Sequence, residues 1–134
     1  EKNNEHLQAK YAEIEKNEVL YDTKMTEDAE YLLVAFGLSA RVSQKAVDIA
    51  RARGIKLGLL RPITLFPFPT KQIRELDKQV KGILSVEMNA GQMGDDVKLA
   101  SEHRVPVAHF GRMGAIVPSP AEVLEALEQK IINP

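Results

Sequence analysis

The side chains with chemistry to offer fall in three short stretches. The first is "FGLSAR", residues 36–41, where a glycine, one residue and a serine stand at the start of a helical pattern. That spacing opens the nucleophile elbow of serine hydrolases, which would make Ser39 an acyl-transfer nucleophile; the motif's fifth position, however, is Arg41 instead of glycine. A serine nucleophile also needs a base, and outside the first twenty residues the only histidines are His103 and His109. Serine is equally a preferred N-cap, and capping is the role expected for Ser39. The second stretch is "EMNAGQMGDD", residues 87–96, polar and glycine-rich. Glycines before a helix suggest a phosphate cradle, because free N–H groups and a partial positive charge gather there. Asp95 and Asp96 fall in the expected first turn and would repel a phosphate, and neither G-x-G-x-x-G nor G-x-x-x-x-G-K-[ST] occurs in the chain. Glu87, Asn89 and Gln92 either hydrogen-bond a neighbouring loop or partner chain, or they serve the helix itself, Asn89 as its cap and Glu87 as support. His103 with Asp95 and Asp96 is too small a set for a metal site.

The third stretch, "RPITLFPFPT" (61–70), is chemically inert but conformationally stiff. Arg61 precedes Pro62, which removes a backbone donor and ends a strand, and Pro67 and Pro69 stiffen the rest of the stretch. A loop so constrained loses little entropy on docking, and Phe66 and Phe68 carry the area of interface anchors. The alternative is that both rings fold back onto the chain's own core. "FGRMGAIVP" (110–118) has a related character: Gly111 and Gly114 permit unusual backbone angles, and Arg112 caps a carbonyl or reaches across an interface.

These stretches are positioned by alternating elements. "EYLLVAFG" is a continuous apolar run of strand length, as a strand buried on both faces requires, and it comes after a polar connector from Asp22 to Asp28. A helix from Ser39, with Val42, Ala46, Val47, Ile49 and Ala50 at helical spacing, ends at Gly54. "IKLGLL" is a second strand, Lys71–Val80 a helix with Ile73, Leu76 and Val80 inward, and "GILSVEM" a third strand. A helix comes after Gly94, then the strand "VPVAHF", then a helix over Ala121–Ile132 whose start carries Ser119, Pro120 and Glu122 as a capping box. Strands alternating with helices give an α/β fold with a parallel sheet covered on both faces. Residues 1–20 are polar, with Leu7, Tyr11 and Ile14 forming a narrow apolar stripe that needs a surface to lie against.

Composition narrows the function classes. One domain is the expected count for 134 residues. Eighteen Lys plus Arg against nineteen Asp plus Glu leave no basic stripe for nucleic acid. No apolar run approaches the ~20 residues of a membrane span, so no membrane partner is expected, and without a secretory leader the expected location is cytoplasmic. Cysteine is absent, which removes disulfides and thiolate chemistry. A start at Glu1 reads as a piece of a longer polypeptide.

Taken together, "RPITLFPFP", "VEMNAGQM" and "GRMGAIVPSPAEV" resemble the C-terminal domain of the alpha subunit of 2-oxoacid:ferredoxin oxidoreductases, with the match running from about Asp28 to Ile132. The resemblance implies a three-layer α/β/α sandwich with a mostly parallel sheet, similar to the transketolase C-terminal domain, including an antiparallel edge strand that the residues do not locate. It divides the chain into a polar helical arm at 1–27, leading from an upstream thiamine-pyrimidine-facing domain, and the transketolase C-terminal-like domain at 28–134. It implies a full enzyme that uses thiamine diphosphate, Mg, iron–sulfur clusters and coenzyme A to oxidise a 2-oxoacid, leaning to 3-methyl-2-oxobutanoate over 2-oxoglutarate. Without cysteine this chain holds no cluster in the usual way, and no catalytic residue carries over. Arg61, Phe66, Phe68, Glu87, Asn89, Gln92 and Arg112 carry over as candidate contacts to other domains of the same subunit and to other oxidoreductase subunits, with ferredoxin reached through the complex. The expected function is a non-catalytic domain that supports assembly and the geometry of the thiamine site. The alternatives are a stand-alone interaction module and a small hydrolase using Ser39.

Overall fold

The computed structural model describes residues 20–63, 68–87, 92–101, 105–111 and 118–134. Their order is β1 (Tyr21–Lys24), β2 (Tyr31–Ala35), α1 (Leu38–Ala52), β3 (Leu57–Pro62), α2 (Thr70–Leu76), β4 (Gly82–Glu87), α3 (Gln92–Ser101), β5 (Val107–Gly111) and α4 (Pro120–Leu127), which continues as a π-helical turn over Glu128–Ile132. The strands form one sheet ordered β1-β3-β2-β4-β5. β2 pairs parallel with β3 and β4, and β4 pairs parallel with β5.

Strict alternation along the strands splits the core in two. Leu33, Leu57, Leu59, Leu84 and Val86 face α1 and α4, meeting Ala46, Val47, Ala50, Val123, Leu124 and Leu127. Leu32, Val34, Leu60 and Ile83 face α2 and α3, meeting Ile73, Met93, Val97 and Ala100. The central strands are therefore apolar on both sides, which is why they read as unbroken hydrophobic runs. The result is the three-layer α/β/α arrangement expected from the alternation. Two expected helix signals also hold: Gly54 has φ 83, and Ser119 and Glu122 close a reciprocal capping box before Pro120.

Two expectations change. Tyr21–Lys24, in the stretch read as a polar connector, is the antiparallel edge strand, with Tyr21 opposite Pro62 and Lys24 opposite Leu59. Three of its four residues are exposed, so it has no apolar alternation to announce it. Polar clamps instead hold the turn that follows it. Arg51 of α1 donates to the Leu57 and Met25 carbonyls at 3.0 and 2.7 Å and to both carboxylate oxygens of Asp28 at 2.9 and 2.8 Å. Its guanidinium hydrogen-bonds Asp28 and lowers that carboxyl below its ordinary range. From the opposite face Gln79 Nε2 donates to the Thr26 carbonyl at 2.7 Å. A Cβ on Gly58 would stand 2.9 Å from the Met25 carbonyl oxygen, so only glycine lets this turn close on β3. The second change is at α2, which ends at Leu76 instead of running to Val80. The chain turns there so that Lys81 N–H reaches the Glu30 carbonyl at 2.6 Å and Gly82 pairs with Tyr31.

The antiparallel β1 gives the domain opposite ends for its termini. Tyr21 lies at the carboxyl ends of the parallel strands, whereas Ile131 packs on Gly82, where β4 begins. At the far margin Lys130 Nζ donates to the His109 carbonyl of β5 at 2.6 Å. No helix among the described residues is long and apolar enough to cross a membrane.

A candidate site at the carboxyl ends of the strands

Helix α1 leaves β2 onto one face and α3 leaves β4 onto the other, so the carboxyl ends of β2 and β4 flank the sheet's switch point, where open α/β sheets take their ligands. Glu87 ends β4 at that point and is 1% exposed. Its Oε2 accepts the Met93 N–H at 3.1 Å and its Oε1 the Gly94 N–H at 3.3 Å. Both donors lie in the first turn of α3, where the helix field also favours a negative charge. The position that could hold a phosphate is thus filled by the chain's own carboxylate.

The same face carries Ser85 and His109, because Ser85 is two residues from Glu87 in β4 and pairs with His109 of β5. His109 Nδ1 is 3.2 Å from Ser85 Oγ and 3.4 Å from Glu87 Oε1. Gly94 lets α3 approach this cluster, since a Cβ there would sit 3.0 Å from Ser85 Oγ. A serine, a histidine and a glutamate so placed are not a nucleophilic triad. A triad divides the two ring nitrogens between hydroxyl and carboxylate, whereas here both partners meet Nδ1, and Ser85 is 0% exposed. The cluster binds two strand ends to one helix start.

Ser39 is corrected on both readings. Gly37, with φ 64 and ψ −137, is the N-cap of α1 and makes no side-chain cap bond, while Ser39 is buried inside the first turn at 2% exposure. Neither the expected capping role nor an exposed nucleophile is realised, and His109 is engaged with Ser85 and Glu87.

Of the residues that the sequence points to, Arg61 sits on β3 and forms an ion pair with Asp22 of β1, both partners partly exposed. It ties the edge strand to its neighbour. Phe68 is half-buried and packs against the α2–α3 side of the core, so this ring turns at least in part onto its own domain. Glu87 faces inward, with its carboxylate taken up by the start of α3. Gln92 is the first residue of α3. Phe66, Asn89 and Arg112 lie outside the described residues. No sequence motif joins Ser85 to His109; the available signal is a serine and a glutamate two residues apart in an otherwise apolar strand.

The Met93 and Gly94 N–H groups at the start of α3 are taken by Glu87, no group of three metal-ligating side chains occurs among the described residues, and the chain has no cysteine.

Comparison with known proteins agrees with this architecture. Residues 29–125 match the family described as pyruvate:ferredoxin oxidoreductase core domain II. The chain is 52% identical over 126 residues to the ketoisovalerate oxidoreductase subunit VorB of Methanothermobacter marburgensis, covering 94% of this chain and 36% of that protein. It is 31% identical over 102 residues to the 2-oxoglutarate synthase subunit KorA of the same organism, covering 76% of this chain and 27% of the relative. The chain therefore spans about a third of the length of the curated relatives it matches. Among solved structures, the 2-oxoglutarate:ferredoxin oxidoreductase of Magnetococcus marinus superposes with TM-score 0.76 at 16% identity, over 89% of this chain and 21% of that one. A split-gene transketolase, an inactive β4 tetramer, superposes with TM-score 0.68 at 17% identity, over 83% and 41%. At those identities the likeness concerns the fold, which is α/β with a mostly parallel five-stranded sheet, like that of the transketolase C-terminal domain. By the match of its residues 29–125, the chain belongs to the pyruvate:ferredoxin oxidoreductase core domain II family, a domain of 2-oxoacid oxidoreductase subunits.

Proposed function

We propose that this chain is the catalytically silent C-terminal domain of an alpha-type subunit of a thiamine-diphosphate-dependent 2-oxoacid:ferredoxin oxidoreductase, and that it supports assembly and the geometry of the thiamine site. The observation that carries this reading is Glu87: the helix start at the switch point, where a domain of this fold would hold a ligand phosphate, is satisfied from within. Thiamine diphosphate with Mg, the iron–sulfur clusters and coenzyme A then belong to other domains and subunits of a cytoplasmic complex, and ferredoxin meets that complex elsewhere. The substrate proposed is 3-methyl-2-oxobutanoate, favoured by 52% identity to a ketoisovalerate oxidoreductase subunit against 31% to a 2-oxoglutarate synthase subunit. Contacts to neighbouring domains are assigned to the strand-end loops, through Arg61, Phe66, Phe68, Asn89, Gln92 and Arg112, with Glu87 acting from inside by holding the start of α3.

The test is reconstitution. The chain by itself should oxidise no 2-oxoacid, and adding it to an enzyme preparation lacking only this region should restore oxidation of 3-methyl-2-oxobutanoate coupled to reduction of ferredoxin or a viologen dye. Turnover by the isolated chain, or full activity of the preparation without it, overturns the proposal.

A further inference from the structure

The two margins of the sheet are guarded unequally. At β5, Lys130 Nζ donates to the His109 carbonyl at 2.6 Å. At β1 the lysine that could do the same is turned onto α1, where Lys24 Nζ lies 2.9 Å from Asp48 and donates to the Gln44 carbonyl at 3.4 Å. The pairing of β1 with β3 shows which backbone groups are left open. Ile63 N–H donates to the Leu20 carbonyl at 3.0 Å, so Leu20 and Ile63 form a hydrogen-bonded pair of the antiparallel ladder. Such pairs alternate with non-bonded ones, which turns the N–H and C=O of Asp22 and Lys24 toward β3 and those of Tyr21 and Thr23 outward. Among the described residues no strand lies beyond β1, and Tyr21, Asp22 and Thr23 are exposed.

Beside this edge the side chains of Tyr21 and Thr23 line a groove of about 350 Å³ with Gln72, Glu75 and Leu76 of α2. Gln72 Oε1 is buried and has no hydrogen-bond partner among the described residues. A second hollow of about 340 Å³ shares Thr23 and Thr26 with the first and is lined also by Glu27 and Asp28. No lysine or arginine lines either one. We propose that the outer edge of β1 takes an extended strand of another polypeptide, one of whose lysine or arginine side chains enters the groove beside α2. Tyr21 and Thr23 supply N–H donors and C=O acceptors for the added ladder. The cationic side chain brings Gln72 Oε1 the donor it lacks and meets the carboxylates of Glu75 and Glu27. A second copy of this chain is a poorer occupant, because its β1 would bring its own Glu27 and Glu75 to the same margin, like charge against like. The proposal goes beyond the assembly role above and does not depend on it.

Amide exchange in the 134-residue chain reads the edge directly. Asp22 and Lys24 should be protected, while Tyr21 and Thr23 should exchange at close to open-chain rates. A blocked peptide of sequence TVTKTVT, titrated to millimolar concentration and followed by NMR, should shift the Tyr21 and Thr23 amides and the Gln72 side-chain amide, and should slow exchange at Tyr21 and Thr23. The same peptide with glutamate in place of its lysine, or with alternate amides N-methylated, should bind about tenfold more weakly or worse. Thr23→Pro removes an outward N–H and spares the bonds to β3, so it should leave the Tm nearly unchanged and weaken binding about tenfold. If the proline variant does not fold, Glu75→Gln, at an exposed position of α2, supplies the comparison, with binding weakened about threefold. Protection of Tyr21 and Thr23 in the free chain, protection that grows with protein concentration, no shift with the lysine peptide, equal binding of the glutamate peptide, or shifts confined to β5 each overturn the proposal.

Discussion

Replacing Glu87 by alanine leaves the Met93 and Gly94 N–H groups without their acceptor in a position where the side chain they met is 1% exposed. A buried donor stripped of its partner costs about 1–3 kcal/mol, so the two together amount to roughly 2–6 kcal/mol, with the helix field adding to the loss. Against a total stability on the order of 5–15 kcal/mol this is a large fraction. At roughly 4 °C per kcal/mol for a domain of this size, it corresponds to a fall in Tm on the order of 10–20 °C. Glu87→Gln keeps one carbonyl oxygen and should lose about half as much. Urea unfolding followed by circular dichroism measures both variants on one scale. If Glu87→Ala lies within about 1 kcal/mol of the unmodified chain, the account of Glu87 as the internal acceptor at the start of α3 is refuted.

The clamp on the edge strand leads to two further outcomes. Arg51→Ala removes the donor to the Met25 and Leu57 carbonyls and should destabilise the chain by about 2–3 kcal/mol, with amide exchange rising first at Tyr21–Lys24 and only later in β2. Asp28 is held below its ordinary range by the Arg51 hydrogen bond, so the stability it contributes is present above the unfolded-state value and is lost as pH falls through the folded one. The difference in urea midpoint between the unmodified chain and Asp28→Asn should therefore be constant from neutral pH to about pH 5 and vanish below the carboxylate range; a difference that grows on acidification contradicts this.

How much of the molecule the residues announce depends on the kind of force acting. β2, β3 and β4 are legible because burial on both faces demands unbroken apolar runs, and the start of α4 because Ser119, Pro120 and Glu122 satisfy one another within four residues. β1 is not legible: Arg61 pairs with its Asp22, and Arg51 and Gln79 hold the turn that follows it, partners 26 to 53 residues away in sequence, and local pattern says nothing of such contacts. Ser39 misleads for a related reason. Its type suits a cap, but Gly37, free to take φ 64, begins the helix two residues earlier and pulls the serine into the core. Glu87 stands out as part of a polar loop start, yet its inward direction depends on α3 presenting two N–H groups, a matter of tertiary placement.

The contact between Lys130 and the carbonyl of His109 bears on how the margin of the sheet is guarded. Among the described residues the sheet ends at β5, and such an edge offers a ready template to any stray extended peptide, newly made copies crowded together included. An ammonium group parked on that margin makes stacking of one copy on the next a matter of evicting a charge, which weighs against copies condensing edge to edge.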